Sequence, residues 1–344
     1  MDAELFRCYL VDKDPQGNVR AELTRRPLDE LPGGDVLIRV DYSSLNYKDA
    51  LAVRGHPGVV KRLPMVVGVD AAGTVVESGV YEFVEGDPVL VTGFDLGVTH
   101  WGGWAQYVRV PQQWVVPMPP GLTPKESMML GTAGLTAALC VRALQEHDVK
   151  PGSGPVVVTG ASGGVGSVAV ALLSQLGYDV VAVTGKPAAR NYLQQLGARQ
   201  VVPRQAVTDT GGKPLLSRQW AGAVDTVGGD ILSTLLRSTR HFGCVAACGN
   251  AADARLPITV YPFILRGITL AGVDAAMCPM PVRHELWQKL AGPWKPKHLA
   301  QIARSVQLDE VQQHAEQILA GQLRGRLVVR VAGEDQPQKG HEAG

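Results

Sequence analysis

Val156 to Gly177 reads VVVTGASGGVGSVAVALLSQLG. Val156, Val157, Val158 and Thr159 are β-branched, a short run that predicts a buried strand. The run breaks at Gly160-Ala161-Ser162-Gly163-Gly164-Val165-Gly166. An apolar helical stretch follows from Val165 to Leu176 and stops at Gly177, a C′ cap. A second strand is expected at once, from Tyr178 to Thr184. A glycine turn between strand and helix is the setting in which G-x-G-x-x-G means dinucleotide binding. The match is imperfect, because Ala161 stands at the first glycine position and an extra Gly160 precedes it. The physical requirements are still met. Gly163 and Gly164 let backbone approach a pyrophosphate, and Gly166 lets the helix pack closely on the strand. The free N–H groups at the helix start, with its dipole, hold negative charge. The plainer reading, a glycine-rich turn in an unrelated α/β protein, leaves the completeness of the unit unexplained.

Outward from this unit, 344 residues suffice for two domains with sizeable cores. Apolar residues make up 45% and charged residues 19%, the balance of a soluble globular chain. A net charge of +1 gives no bulk electrostatic case for nucleic acid or an anionic membrane as partner. The apolar runs read as too short to span a bilayer. Met1 to Leu5 is acidic and lacks the apolar core of a signal peptide, so a cytoplasmic location is expected. The five cysteines, Cys8, Cys140, Cys244, Cys248 and Cys278, are odd in number and scattered, which argues against a disulfide framework. Cys244 and Cys248 lack the close spacing of a zinc pair and read as buried thiols.

Residues 1 to about 124 read as mostly β, with strands expected at 6–11, 19–23, 36–42, 66–69, 73–77, 88–92, 104–110 and 114–116. One helix interrupts them, Asn46–Val53. Such density of short strands suggests a barrel-like domain. A helix is expected after Thr123, with Thr123 as N-cap, Pro124 at N1 and Glu126 closing a capping box. Gly131-Thr132-Ala133-Gly134 interrupts it, and a second helix runs to about Gln145. Beyond the glycine unit, strand and helix alternate: helix 187–196, strand 200–203, strand 223–227, helix 231–240, strand 244–248. That alternation means a doubly wound parallel sheet. After Pro262 come a strand at 268–273, helices at 282–290, 297–305 and 310–320, and a last strand at 327–331. The polar tail from Gly333 reads as disordered.

Eight blocks carry a resemblance: LNYKD (45–49), GVDAAGTVVESG (68–79), EGDPVLVTG (85–93), GGWAQYVRV (102–110), GTAGLTA (131–137), TGASGGVG (159–166), DTVGG (225–229) and RGRLVVRV (324–331). In this order and spacing the chain resembles the medium-chain dehydrogenase/reductase superfamily. The resemblance implies a Rossmann doubly wound parallel sheet inserted in a GroES-like β-barrel domain. Its division would be 1–124 as the N-terminal part of the GroES-like catalytic domain, 125–265 as the NADP-binding domain, and 266–332 as a sheet-edge strand followed by C-terminal helices and a strand completing the catalytic domain. Within the superfamily, YLVDKD (9–14), SSLNYKDALAV (43–53), WAGAVDTVGG (220–229), VAACGN (245–250) and PFILRGITLAGVD (262–274) resemble the zinc-free quinone-oxidoreductase-like branch, and most of all the NADPH-dependent acryloyl-CoA reductases. Zinc members carry a Cys in the LNYKD region and a His-Glu pair in the next block. Here Asn46-Tyr47 and Gly68-Val69-Asp70 stand in those places, so no metal is expected and Asp70 reads as a structural acid.

An NAD enzyme places an acid after its second strand to accept from the ribose 2′-hydroxyl. This chain has Thr184-Gly185-Lys186 there, with Arg190 one turn on, which suits the 2′-phosphate of NADPH. Carried over from the reductase group, cofactor contacts would be Tyr47, Ser162, Gly163, Gly164, Val165, Thr184, Gly185, Lys186, Asn250, Ile264 and Ala275, with Arg218 as a further phosphate contact. Without metal, the carbonyl of a substrate must be polarised by hydrogen-bond donors, and Tyr47 and Asn46 are the residues expected in that catalytic role. Thr132, in the helix break GTAG, is expected to touch the nicotinamide face, and His56 reads as a loop residue. The expected substrate is a small molecule: a short enoyl-CoA, with an enone or quinone as the alternative. A non-catalytic NADPH-binding protein is the rival of another class. The strand at 268–273 would lie at a sheet edge, where pairing with its own copy gives a homodimer.

Overall fold

The structure, a computed structural model, describes residues 4–332. In chain order its first part supplies β1 (Leu5–Lys13), β2 (Val19–Pro27), β3 (Val36–Leu45), α1 (Tyr47–Val53), β4 (Met65–Val66), β5 (Asp70–Ser78), β6 (Pro88–Thr92), β7 (Tyr107–Val110), β8 (Val116–Pro117) and α2 (Pro124–Glu146). The middle part supplies β9 (Val156–Val158), α3 (Gly164–Gln175), β10 (Val180–Val183), α4 (Arg190–Gln195), β11 (Gln200–Val202), β12 (Trp220–Asp225), α5 (Gly229–Ser238), β13 (Thr239–Ala247), α6 (Tyr261–Arg266) and β14 (Thr269–Gly272). The last part supplies α7 (Met280–Ala291), α8 (Leu299–Ile302), β15 (Ala303–Gln307), α9 (Val311–Leu319) and β16 (Arg326–Arg330).

The middle strands form a parallel sheet in the order β11-β10-β9-β12-β13-β14. Helices cover both faces, so its strands are continuous apolar runs: Val156, Val157 and Val158 are all fully buried. The order reverses between β9 and β12. That is the switch point outside which such sheets bind ligands, and α3 begins there. The first and last parts share a second sheet, β15-β16-β3-β5-β6-β8, with β7 also on β3. β16 lies antiparallel to β3, Leu327 opposite Leu45. The end of the described chain is thus a structural neighbour of residues 280 positions earlier. A third sheet, β2-β1-β4, is built on a nine-pair hairpin.

α2 joins the two larger sheets. It starts as the sequence predicts: Glu126 N donates to Thr123 Oγ1 at 3.2 Å, and Thr123 N donates to Glu126 Oε2 at 3.0 Å. Its core packs Ala72, Leu90 and Val116 from the mixed sheet with Val156, Val158 and Ala246 from the parallel one. It is the one described helix long and apolar enough to cross a membrane, but 72% of that window is buried inside the protein, so α2 is a core helix. The expected break is present and is a single residue. Gly131 has φ 53°, and a Cβ there would stand 2.6 Å from Asp70 Oδ2 and 2.8 Å from Arg326 Nη2. Only glycine fits, for both backbone and space.

Three expectations are corrected. The helix expected at 297–305 is a four-residue turn, α8, followed by strand β15, because residues 303–307 pair in register with β16. The strand expected at 104–110 starts only at Tyr107, and Trp114 sits in a 3₁₀ turn. α6 was not anticipated. The expected disordered tail, 333–344, lies outside the described residues.

Candidate active site

Asn46 is the N-cap of α1, and Tyr47 its first residue. Tyr47 is 45% exposed and turned to solvent. Asn46 is buried and its amide is fully engaged. Its Nδ2 faces Asp70 Oδ2 at 2.9 Å, Asp49 Oδ2 at 3.1 Å and Ser44 Oγ at 3.1 Å, which is three acceptors for two hydrogens. Its Oδ1 accepts from Arg326 Nη1 at 2.9 Å. This corrects the expected donor role of Asn46: no hydrogen is left for a substrate, and the residue orients the head of α1 instead.

Asp70, at the start of β5, is fully buried and accepts from four groups. These are Ser44 Oγ, Asn46 Nδ2, and Thr132 through both its backbone N at 3.0 Å and its Oγ1 at 2.6 Å. The break at Gly131 turns the Thr132 N–H toward Asp70. Thr132 therefore spends its hydroxyl hydrogen on Asp70 and offers only lone pairs elsewhere. Arg326 Nη2 lies 3.9 Å from Asp70 Oδ2. Asp49 accepts from Asn46 N at 2.7 Å and Val69 N at 2.9 Å. Two buried carboxylates share one buried guanidinium. Burial, then the charge of Asp70, push the Asp49 carboxyl up to about 7.

The glycine turn expected to cradle phosphate lies at the switch point. Gly163 is the N-cap of α3 and no side chain caps the helix, so the first N–H groups, from Gly164 and Val165, remain available to an anion. Gly166 is required by packing, since a Cβ there would stand 2.3 Å from Gly160 O. Gly160, which the motif treats as surplus, is the turn's left-handed residue, with φ 55° and Thr226 Oγ1 2.2 Å from where a Cβ would be. Ser162 Oγ and Thr184 Oγ1 are 3.0 Å apart, and Thr184 Oγ1 accepts from Lys186 N at 3.1 Å.

Beyond β10 opens a cleft of about 420 Å³ lined by Thr184, Gly185, Arg190, Pro203 and Arg204 among others, none of them acidic. The Arg204 guanidinium packs against Gly185, its Cζ 2.7 Å from where a Cβ would stand. Arg204 was missed in the sequence; its only signal is its position just past β11, at the carboxyl edge of the sheet. Lys186 is not among the residues lining this cleft; its Nζ donates to Leu323 O, and burial and then Arg204 hold its ammonium below the usual lysine range. Asn250 is exposed just past β13. Ala275 is buried, with its carbonyl accepting from Arg283 Nη2 at 3.0 Å.

One expected contact is set apart. Arg218 precedes β12 by two residues, at the amino edge of the sheet, and its nearest polar partner is His241 Nδ1 at 3.4 Å. Phosphates bind at the opposite edge. Ile264 is 67% exposed on α6. His56 is an exposed loop residue whose Nδ1 accepts from Gly58 N at 3.0 Å. Among the described residues, no group of three or more His, Cys, Asp or Glu is placed to hold a metal ion.

Residues 32–120 match the family Alcohol dehydrogenase GroES-like domain, and residues 164–291 the family Zinc-binding dehydrogenase. The chain is 44% identical over 328 residues to the acrylyl-CoA reductase AcuI of Ruegeria pomeroyi, covering 95% of this chain and 99% of that protein. Escherichia coli K-12 YhdH, solved with bound NADPH, superimposes with a TM-score of 0.91 at 45% identity, over 94% of this chain and 100% of that one. Bacillus subtilis YhfP, whose name carries the words quinone oxidoreductase, is 44% identical over 95% of this chain and 99% of its own. Its structure, solved with NAD bound, has a TM-score of 0.92.

The raised Asp49 carboxyl sets a sign for stability against pH. The folded protein binds that proton more tightly than the unfolded chain, so the contribution is fully present below about pH 4 and is lost as pH rises through about 7. Urea unfolding at pH 5 to 8 should show this fall in the wild type, and Asp49→Asn should flatten it. Parallel pH dependences in the two proteins would rule out Asp49 as the group responsible.

Proposed function

This chain belongs to the medium-chain dehydrogenase/reductase superfamily, and on that premise we propose that it is an NADPH-dependent reductase of α,β-unsaturated thioesters, converting acryloyl-CoA to propionyl-CoA in the cytoplasm. The observation that carries the cofactor choice is the cleft beyond β10, which holds two guanidinium groups and no acid. The substrate rests on near full-length similarity to an acrylyl-CoA reductase.

The residues present fit the cofactor. The uncapped N–H groups of Gly164 and Val165, with Ser162 and Gly163, suit a pyrophosphate at the α3 N-terminus. Thr184, Gly185, Lys186 and Arg204, with Arg190 at the rim, suit a 2′-phosphate. Planar guanidinium donors match phosphate better than an ammonium already shared with Leu323 O. Asn250 and Ala275 follow β13 and β14 at the carboxyl edge of the parallel sheet, where the rest of the dinucleotide would lie. The chemistry that NADPH supplies when bound is a hydride for the β carbon. The protein's part is to hold the thioester oxygen as it becomes negative, before the α carbon takes a proton. Donors aimed at such an oxygen are the largest single contribution in comparable reactions. Tyr47 is the free donor at the head of α1, and Asn46, Asp70 and Thr132 hold that head in place. A quinone or enone reductase on the same site is the second reading, favoured by the name of YhfP. We also read β14, the edge strand beside exposed Phe242, Tyr261, Ile264 and Leu265, as the contact of a homodimer.

With NADPH, acryloyl-CoA should turn over faster than a small quinone, and Tyr47→Phe should lower that turnover about 10²-fold or more with NADPH affinity nearly intact. Faster quinone turnover would favour the second reading, and a wild-type rate in Tyr47→Phe would remove its hydroxyl from the chemistry. Arg204→Ala should weaken NADPH by about ten- to a hundredfold while leaving NADH almost unchanged, as expected for a lost charge-assisted contact. Equal losses for both cofactors in titration would withdraw the 2′-phosphate assignment. Leu265→Glu should convert a dimer to monomer in light scattering; an unchanged mass would place the contact elsewhere.

A further inference from the structure

Arg326, the first residue of β16, is 2% exposed and reaches several separate pieces of the chain. Its Nη1 donates to Asn46 Oδ1 at 2.9 Å and to Leu45 O at 3.3 Å. Its Nη2 donates to Ser44 Oγ at 2.8 Å, and its Nε to Met129 O at 3.3 Å. These partners are the end of β3, the cap of α1 and the stretch of α2 just before its break. The same side chain also meets the phosphate turn. A Cβ on Gly164 would stand 3.2 Å from Arg326 Cδ and 3.4 Å from its Nη1, so the first residue of α3 sits directly on the arginine. One planar group therefore touches both the turn that suits the pyrophosphate and the residue that precedes Tyr47.

We propose that Arg326 is a positioning residue for hydride transfer, fixing the head of α1, and with it Tyr47, relative to the N-terminus of α3. This rests on the reading of Tyr47 and the phosphate turn given above. A cofactor anchored by its phosphates on α3 presents its nicotinamide at a fixed distance from that helix. A substrate oxygen held by Tyr47 is located by α1. The two helices pack on different sheets, and Arg326 contacts both, donating to Asn46 at the head of α1 and lying against Gly164 at the start of α3. Misplacing reacting groups by about 1 Å costs on the order of 10²-fold in rate without any contact to substrate being removed. Guanidinium geometry is needed for this. A lysine at 326 keeps a positive charge near Asp70 but cannot direct hydrogens from a planar fork to Asn46, Leu45, Ser44 and Met129 together. The side chain touches neither substrate nor reacting atoms, so it acts through Asn46 and Gly164.

The test is single-turnover kinetics on Arg326→Lys and Ser44→Ala, the second removing one acceptor of the fork while keeping the arginine. NADPH binding is followed by fluorescence and hydride transfer by stopped flow, with NADPH and with NADPH deuterated at the transferring position. Expected for Arg326→Lys are an NADPH affinity within about threefold of wild type, hydride transfer slowed by about 10- to 100-fold, and a larger deuterium isotope effect on kcat. Ser44→Ala should move the same way by a smaller factor. A folded Arg326→Lys with a lowered Tm but a wild-type transfer rate would overturn the proposal and leave Arg326 as scaffold only. Should that variant not fold, a wild-type transfer rate in Ser44→Ala overturns it equally. The measurement uses whichever of acryloyl-CoA or a quinone the wild type reduces. Absence of acryloyl-CoA turnover therefore counts against the substrate reading, and the comparison of rates alone decides Arg326.

Discussion

Two carboxylates and one guanidinium are closed off from water at the junction of the two larger sheets, and much of the structure follows from having to satisfy them. Removing Asp49, Asp70 and Arg326 from solvent costs several kcal/mol per ion unless hydrogen bonds replace the lost water. Asp70 recovers this through four donors, and Arg326 through four acceptors. Each partner imposes a condition. Thr132 can offer its N–H only if α2 breaks, and the break requires a glycine at 131. Arg326 can arrive only if β16 returns to pair with β3. The one charge left without a counter-charge appears as the raised Asp49 carboxyl.

The resemblance gives this cluster a further meaning. Asp70 stands where zinc members of the superfamily carry the glutamate of their His-Glu pair, and Asn46-Tyr47 lie in the region of their cysteine. In this chain the same positions form a hydrogen-bonded network. Its polar groups face inward, except Tyr47, which is left at the surface. The network makes the head of α1 stiff, and a stiff mounting is what a single exposed donor needs if it is to meet a developing charge without reorganising.

The parts that suit the cofactor follow a different logic. They stand at the carboxyl edge of the parallel sheet, where strand order reverses and helix N-termini point outward. Lys186 connects the two regions: it leaves β10 in the parallel sheet and donates to Leu323 O, just ahead of β16. Together with Arg326 against Gly164, this places the last strand of the mixed sheet beside the carboxyl edge of the parallel sheet, at the end of β10 and the start of α3.

Features that depend only on neighbours within a few residues were legible in the residues alone. The strand–glycine–helix unit, the Thr123–Glu126 capping box, the break beside Thr132 and the absence of an acid after β10 are all local, because backbone torsion, capping and helix dipoles act over one or two turns. The family resemblance added the sheet inserted in a barrel. Features that needed the closed fold involve partners far apart in the chain. Arg326 and Asn46 meet across 280 positions, and nothing in either local stretch shows that the asparagine amide is turned inward and used up. Arg204 and Arg218 are both arginines beside the parallel sheet, and the order and direction of the strands place Arg204 at its carboxyl edge and Arg218 at its amino edge. Residues 303–305 read as the end of a helix and instead begin strand β15, because β16 offers them a row of unpaired backbone groups. Hydrogen bonds and burial between distant segments exist only once the chain is closed, so the site's chemistry was legible in its residue types and its geometry only in the fold.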